Sequence, residues 1–281
     1  MSQQDLAQIA AFIQQGRKIT LLTGAGISTQ SGIPDYRDEN GEWKHARPVM
    51  FADFMSDATV RQRYWARTTV GWPRMAQAQP GKAHEAIHAL EKADCVERIV
   101  TQNVDGLHQK AGSTNVIDLH GRLDEVRCQQ CHKLTPRADW QTKVKQQNDQ
   151  WLSDIGAVTD APDGDAIIEH ANYAEFLVPD CDQCGGIVKP EVVFFGENVP
   201  KQYVADAYAA VAAADGLLVA GSSLMVFSGF RFARRCAELN KPCFIINRGV
   251  TRADELATLK IEMDCGEALA EIAYAVGETT N

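Results

Sequence analysis

Two C-x-x-C pairs, Cys128-Gln-Gln-Cys131 and Cys181-Asp-Gln-Cys184, constrain this chain more than any other feature. Each pair forms a turn that aims two thiolates at one point, and two such turns supply the ligands of a tetrahedral zinc site. Residues 132–180 must then leave one place and return to it. That span exceeds the ~15–20 residues of a simple zinc ribbon, yet closure entropy grows only logarithmically with loop length. Four thiolates leave no open coordination position, so a zinc held there is structural and not catalytic. A redox pair or unconnected cysteines are the alternatives. The remaining cysteines read as single buried thiols, as at Cys243 within an apolar run.

Eight cysteines in 281 residues would suit a disulfide scaffold only in a much shorter secreted chain. The first residues, MSQQDLAQIAAFIQQGRK, carry no basic stretch followed by an apolar one and read as an amphipathic helix with Leu6, Ile9, Phe12 and Ile13 on one face. A reducing compartment is expected, the cytoplasm. With 45% hydrophobic and 23% charged residues the chain can bury a sizeable core. No apolar run reaches the ~18–20 residues of a membrane span, so no membrane partner is expected. The net charge of -9 makes a phosphate backbone a poor partner and suits a basic, lysine-bearing substrate.

Short apolar runs recur at Arg17–Thr23, Arg98–Thr101, Val116–Leu119, Gly216–Ala220 and Cys243–Asn247, with helical patterns such as Lys82–Ala93 and Phe230–Asn240 among them. Buried strands alternating with helices predict a doubly wound α/β fold around a parallel sheet. Two stretches break the rhythm. Residues 43–80 are rich in aromatic and arginine residues and look helical; residues 126–186 hold the paired cysteines. Their polar middle, SDIGAVTDAPDGD (153–165), reads as a loop or a loosely held insertion.

The strand ends carry the chemistry. Gly24-Ala25-Gly26-Ile27-Ser28-Thr29 opens like a dinucleotide fingerprint, with small residues that let backbone N–H groups approach a diphosphate. Thr29 stands where that fingerprint has its last glycine, so hydride transfer is not supported; a tight turn with a helix cap is the alternative. Gln102-Asn103-Val104-Asp105 follows another strand, where polar side chains face the usual ligand crevice or merely cap a turn. His120 sits at a third strand exit, as a neutral general base or a structural histidine. Gly221-Ser222-Ser223 and Asn247-Arg248-Gly249 repeat the placement and would suit a ribose and adenine, though each alone is an ordinary loop.

Taken in order, GAGIS (24–28), GIPDYR (32–37), TQNVDGLH (101–108), LHG (119–121), the two cysteine pairs, KPEVVFFGE (189–197), GSSLMVFSGFRF (221–232) and INRG (246–249) span nearly the whole chain. This pattern resembles the sirtuins, the silent information regulator family of NAD-dependent protein deacylases. The resemblance implies a Rossmann-like NAD-binding domain from residues 1–45, 82–125 and 187–281, and a smaller, discontinuous helical and zinc-binding domain from 46–81 and 126–186. It implies NAD as a consumed co-substrate, one structural zinc per chain and acyl-lysine proteins or peptides as partners. In the family the acyl oxygen attacks the ribose carbon that bears nicotinamide, giving nicotinamide and an alkylimidate, then lysine and O-acyl-ADP-ribose.

Carried onto this sequence, the resemblance makes His120 the base that deprotonates a ribose hydroxyl and Asn103 the residue that orients ribose and attacking water. Gln102 would contact the ribose and Asp105 the nicotinamide carboxamide. Gly24, Ala25, Gly26, Ser28, Asp35, Tyr36 and Arg37 belong to the cofactor turn and loop, with Arg37 near phosphate and Tyr36 shielding the reaction centre. Gly221, Ser222, Ser223, Asn247, Arg248, Gly249 and the backbone at Cys265 would bind the adenosine half. Cys128, Cys131, Cys181 and Cys184 would hold the zinc, and Val193, Phe194 and Gly196 would pair with substrate backbone by strand addition.

This chain departs from the common pattern at Tyr36, where many members have Phe, and at Ser228, where they have proline. The long insertion and RQRYWARTTVGWP (61–73) are similar to the class II branch, which is associated with weak deacetylation, removal of larger acyl groups and ADP-ribosyl transfer. Tyr64 and Arg67 repeat a Tyr-x-x-Arg spacing that desuccinylating members use to hold an acyl carboxylate; i and i+3 share a helix face. The plainer reading is a helix that packs Tyr64 and exposes Arg67. The expected activity is NAD-dependent lysine deacylation by a monomer, with no nucleic-acid partner. Protein mono-ADP-ribosyl transfer by the same NAD cleavage is the alternative, followed by a zinc-ribbon adaptor without catalysis.

Overall fold

The computed structural model describes residues 2–44 and 48–278. Helix α1 (Ser2–Gln14) leads into strand β1 (Ile19–Thr23), then α2 (Phe51–Ser56), α3 (Ala58–Gln77) and α4 (Lys82–Lys92). Next come β2 (Val96–Thr101), α5 (Leu107–Lys110), β3 (Val116–Asp118), β4 (Gly121–Cys128) and β5 (Leu134–Pro136). Helices α6 (Arg137–Gln147) and α7 (Asp149–Ser153) precede β6 (Val158–Asp160), β7 (Ala166–Ile168) and β8 (Val188–Val192). The chain closes with α8 (Lys201–Ala213), β9 (Gly216–Ala220), α9 (Phe227–Glu238), β10 (Cys243–Ile246), β11 (Leu259–Ile261) and α10 (Cys265–Glu278).

Six strands form one parallel sheet in the order β11-β10-β9-β1-β2-β3. All five residues of β1 are buried, as both faces of such a sheet must be covered. Successive side chains serve opposite layers: Leu21 joins Leu6, Ile9, Ile87 and Leu269, whereas Leu22 joins Val100, Val211, Phe232 and Ile245. The expected face of α1 is buried at Leu6, Ile9 and Ile13, with Phe12 edge-on to Phe244 at 5.3 Å. From β1 the chain builds outward through β2 and β3, then returns to add β9, β10 and β11 on the other side. The order reverses between β1 and β9, and a crevice opens at such a point beyond the carboxyl ends of the strands.

A second core lies around the antiparallel sheet β5-β4-β8. Trp65, Phe54, Trp140, Val126, Val144 and Phe176 fill it, and Trp65 and Trp140 stack obliquely at 5.3 Å. Arg137 is buried there between Trp65 and Trp72, its guanidinium 5.1 and 5.0 Å from the two rings, and donates to Gln141 and the Thr68 carbonyl. Burial in this aromatic sandwich lowers its pKa to about 10.

The expected loosely held stretch at 153–165 is corrected here. Much of it belongs to an antiparallel hairpin, β6 paired with β7 around a 3-10 turn at Pro162–Gly164, and the hairpin lies against α3. Gly71 permits this approach: a Cβ there would lie 2.5 Å from the carbonyl oxygens of Gly164 and Asp165. A glycine inside a helix costs about 1 kcal/mol relative to alanine, which the close packing offsets. Among the described residues, no helix is long and apolar enough to cross a membrane.

Candidate active site

The glycines of the first turn are required by packing at the switch point. Gly24 and Gly26 donate N–H groups to the carbonyls of Ala220 and Gly221 at 3.1 and 2.9 Å. A Cβ on Gly24 would fall 2.7 Å from Ser222 Cβ, and one on Gly26 would fall 2.8 Å from Gly221 Cα. Gly221 itself has φ of +62°, a left-handed conformation that favours glycine. The exits of β1 and β9 are thereby locked together, and a crevice of about 440 Å³ opens above them.

Gly24, Ala25, Gly26, Asp35, Tyr36 and Arg37 line this crevice, together with Gln102, Asn103, His120 and Val193. Gly221, Ser222, Ser223, Asn247, Arg248 and Cys265 line its far end. Ser28, Asp105 and Gly249 do not reach it. Gly249 has φ of +80° and its neighbour Val250 donates to the Glu39 carbonyl at 2.8 Å, which ties the 33–44 loop to the exit of β10. Within that loop Arg37 stacks over Trp43 at 3.9 Å and donates to the Gly41 carbonyl, and Asp35 pairs with Lys44 at 2.6 Å.

His120 lies in the turn between β3 and β4. Its Nδ1 is 2.9 Å from the Gln102 carbonyl and its Nε2 is 2.8 Å from Ser228 Oγ. A carbonyl only accepts, so Nδ1 carries the proton and Nε2 presents a lone pair to which the Ser228 hydroxyl donates. Burial pushes the imidazole below its ordinary pKa; the Gln102 carbonyl opposes this and the nearby Arg231 charge reinforces it. The histidine is thus neutral at physiological pH, with the basic nitrogen defined.

Asn103 is held by donating to the Gly24 carbonyl at 3.1 Å and to Ser28 Oγ at 3.0 Å. Ser28 in turn donates to Asp105 at 2.7 Å, and Asp105 accepts from the Leu107 N–H at 2.9 Å. Behind them His108 contacts Thr23 Oγ1 at 3.0 Å and is pushed down to about 3 by burial and the neighbouring His84, so this layer is uncharged imidazole. Ser28 and Asp105 therefore fix Asn103 from behind. Gln102 donates to Ser222 Oγ at 2.8 Å, joining the exits of β2 and β9.

The four paired cysteines form the one group of metal-ligating side chains found among the described residues, with their ligand atoms all within 4.8 Å of one another. Cys128 and Cys184 sulfurs are 3.5 Å apart, and those of Cys131 and Cys181 are 3.7 Å apart. A tetrahedron with Zn–S bonds of ~2.3 Å has edges of about 3.8 Å. The four cysteines are positioned to bind one structural zinc.

A second cavity of about 420 Å³ abuts the crevice, sharing Tyr36 and Phe195 as lining. Phe194, Tyr64 and Arg67 line it. The sequence expectation for Tyr64 and Arg67 meets a competing partner here: Arg67 Nη2 is 2.5 Å from Asp165 Oδ2, and Arg67 Nε donates to the Ala166 carbonyl at 2.7 Å. The guanidinium is not exposed, and its Nε and Nη2 are already engaged within the protein; Tyr64 packs edge-on to Phe54 at 5.4 Å. Gly196 lines neither cavity, though Phe195 beside it pairs with Met50.

Three participants escaped sequence reasoning. Ser228 stood out as a departure but gave no hint of contacting His120. Asp165 sat unremarked in the acidic insertion. Asp264 lines the crevice and accepts from the Gly266 N–H at 2.9 Å at the start of α10; an aspartate just before an apolar helical run is a readable capping signal.

Comparison with known proteins agrees with this geometry. The Sir2 family model matches residues 24–228. An NAD-dependent protein deacetylase of Xanthomonas axonopodis pv. citri is 53% identical over 92% of this chain and 88% of its own length. NAD-dependent protein deacetylase 2 of Bradyrhizobium diazoefficiens is 52% identical over 92% of this chain and 94% of its own. Among solved structures, Sir2 with a deacetylated peptide and 3′-O-acetyl ADP-ribose has a TM-score of 0.76 at 31% identity, covering 98% of each chain. Sir2 with a peptide and NAD+ has a TM-score of 0.71 at 32% identity, covering 96% of each. With a family model over most of its length and relatives identical at half its positions, the chain belongs to the Sir2 family.

Proposed function

We propose that this chain is an NAD-dependent protein-lysine deacylase. The observation that carries the reading is His120: a neutral imidazole in the lining of the crevice, with Nδ1 tied to the Gln102 carbonyl and Nε2 left as an acceptor facing the Ser228 hydroxyl, beside a mostly apolar second cavity. Bound NAD supplies the ribose carbon that takes the acyl group, with release of nicotinamide and O-acyl-ADP-ribose. The glycine turn and Arg37 would hold its phosphates, Ser222, Asn247 and the Cys265 backbone its adenosine half, and Gln102 the second ribose. Asn103 orients ribose and water; Asp105, one layer back, acts on nicotinamide through Ser28 and Asn103.

His120 takes a proton from a ribose hydroxyl at Nε2, which requires Ser228 to yield the lone pair or to relay the proton. Such base catalysis contributes ~100- to 10,000-fold. The acyl-lysine enters along the backbone at Val193, Phe194 and Gly196, with its acyl group in the second cavity. On this reading the parallel sheet and the cysteine-bearing region are two domains divided as the motifs imply. Four thiols gathered into one metal-ligating cluster support a reducing, cytoplasmic setting. The net charge of -9 supports a protein substrate over nucleic acid.

The test incubates the protein with NAD and a panel of acyl-lysine peptides, following nicotinamide and peptide mass together. Acyl loss matched by O-acyl-ADP-ribose and abolished by His120→Ala is expected. Nicotinamide release with ADP-ribose appearing on protein, and no acyl loss, would replace the reading with mono-ADP-ribosyl transfer.

A further inference from the structure

Arg67 and Tyr64, alone on their helix face, would make the second cavity a receptor for an acyl carboxylate. The hairpin changes that. We propose that Asp165 occupies the position an acyl carboxylate would take against Arg67, so that this pocket selects extended neutral acyl chains and rejects acidic ones. The inference rests on the deacylase reading and names the acyl class of that site.

Several observations carry it. Arg67 is held at two atoms, by Asp165 at 2.5 Å and by the Ala166 carbonyl at 2.7 Å. Asp165 is itself anchored, accepting from the Ala166 N–H at 2.8 Å. Both side chains are largely buried, at 16% and 31% exposure, so water does little to screen the pair. Gly71, one helical turn beyond Arg67, lets the hairpin backbone seat against α3 and sets this register. Arg63 also borders the cavity but is exposed, where an ion pair is worth little. The rest of the wall includes Leu123, Ile168, Val192 and Phe194, and about 420 Å³ is far more than an acetyl methyl fills. An acidic chain would have to displace Asp165 or lie beside it, so that two carboxylates share one guanidinium charge in a largely buried site.

The test compares peptides of equal acyl length, pentanoyl-lysine and glutaryl-lysine, by kcat/KM and by anisotropy of labelled peptide. The wild-type protein is expected to favour pentanoyl at least tenfold. Asp165→Asn keeps the side chain's shape and is expected to move the ratio at least tenfold towards glutaryl; adding Arg67→Gln should cancel that gain. A ratio does not depend on the folded fraction, so partial misfolding leaves the comparison intact. A wild-type preference for glutaryl, or a ratio unmoved by Asp165→Asn, overturns the inference. Selective binding of pentanoyl peptide without turnover would overturn the deacylase reading and uphold the pocket assignment; no binding of either peptide would overturn both.

Discussion

The parallel sheet and the cysteine-bearing region are built on different principles. In the sheet, six strand exits meet because strand order and hand of connection deliver them to one edge, and the central strands are buried by their neighbours and two helical layers. In the other region the core is aromatic, a buried arginine stands between two tryptophans, and four thiolates from distant turns converge. The first holds chemistry on a scaffold that is stable through its own burial. The second shapes a pocket wall and adds to its aromatic core four thiolates positioned to hold one metal ion.

Metal removal should expose that difference most strongly. None of the five tryptophans lies in the parallel sheet or the helices packed on it; Trp65, Trp72, Trp140 and Trp151 report on the cysteine-bearing region. Chelation, or Cys128→Ser with Cys131→Ser, is expected to red-shift tryptophan emission and cut peptide turnover about 100-fold or more. Helical circular dichroism from the sheet region should largely persist. A single transition abolishing both signals together would show that the two regions are one cooperative unit.

A smaller effect should mark the other side of the comparison. Gly26→Ala places a Cβ 2.8 Å from Gly221 Cα and must part the two glycine turns, an overpacking cost of about 1–3 kcal/mol. NAD affinity measured by calorimetry is expected to fall about tenfold or more, with tryptophan emission unchanged. Undiminished affinity would mean that the turns can separate without harm to the crevice.

The smallest effect concerns Ser228. Its hydroxyl donates to the bare Nε2 of His120 and so stabilises the neutral imidazole. Ser228→Ala removes that support, the pKa of His120 rises, and the acid limb of the kcat/KM profile should move to higher pH. Burial and Arg231 continue to hold the group down, so the limb stays on the acid side of the ordinary imidazole range. An unmoved limb would remove Ser228 from the tuning of the base.

The two regions also differ in how far they can be read from sequence. Strands β1, β2, β9 and β10 were legible because each is a short apolar run punctuated by glycine or polar residues, a local signal. The cysteine pairs were legible because metal geometry fixes their spacing. The hairpin was not: Val158–Asp160 and Ala166–Ile168 are three residues each in an acidic stretch, and the surface that orders them is α3, nearly a hundred residues earlier. One signal was present, a lone glycine at position 71 inside a helical pattern. The Ser228–His120 contact spans 108 residues and left no local trace.

The thiolates bracket the hairpin. Cys131 and Cys181 bring the two ends of residues 132–180 to within 3.7 Å, sulfur to sulfur, so everything between them is a ring closed by its clasp. Changing the length of such a ring costs little, since its closure entropy is already met by the clasp and grows only slowly with length. Within it, the hairpin stretch 154–170 can thus be lengthened, shortened or exchanged while α6 and Phe176 keep the second core and the crevice of His120 and Asn103 keeps its shape. A lineage built on this plan can acquire a new acyl preference by rewriting one ring and leave its chemistry untouched.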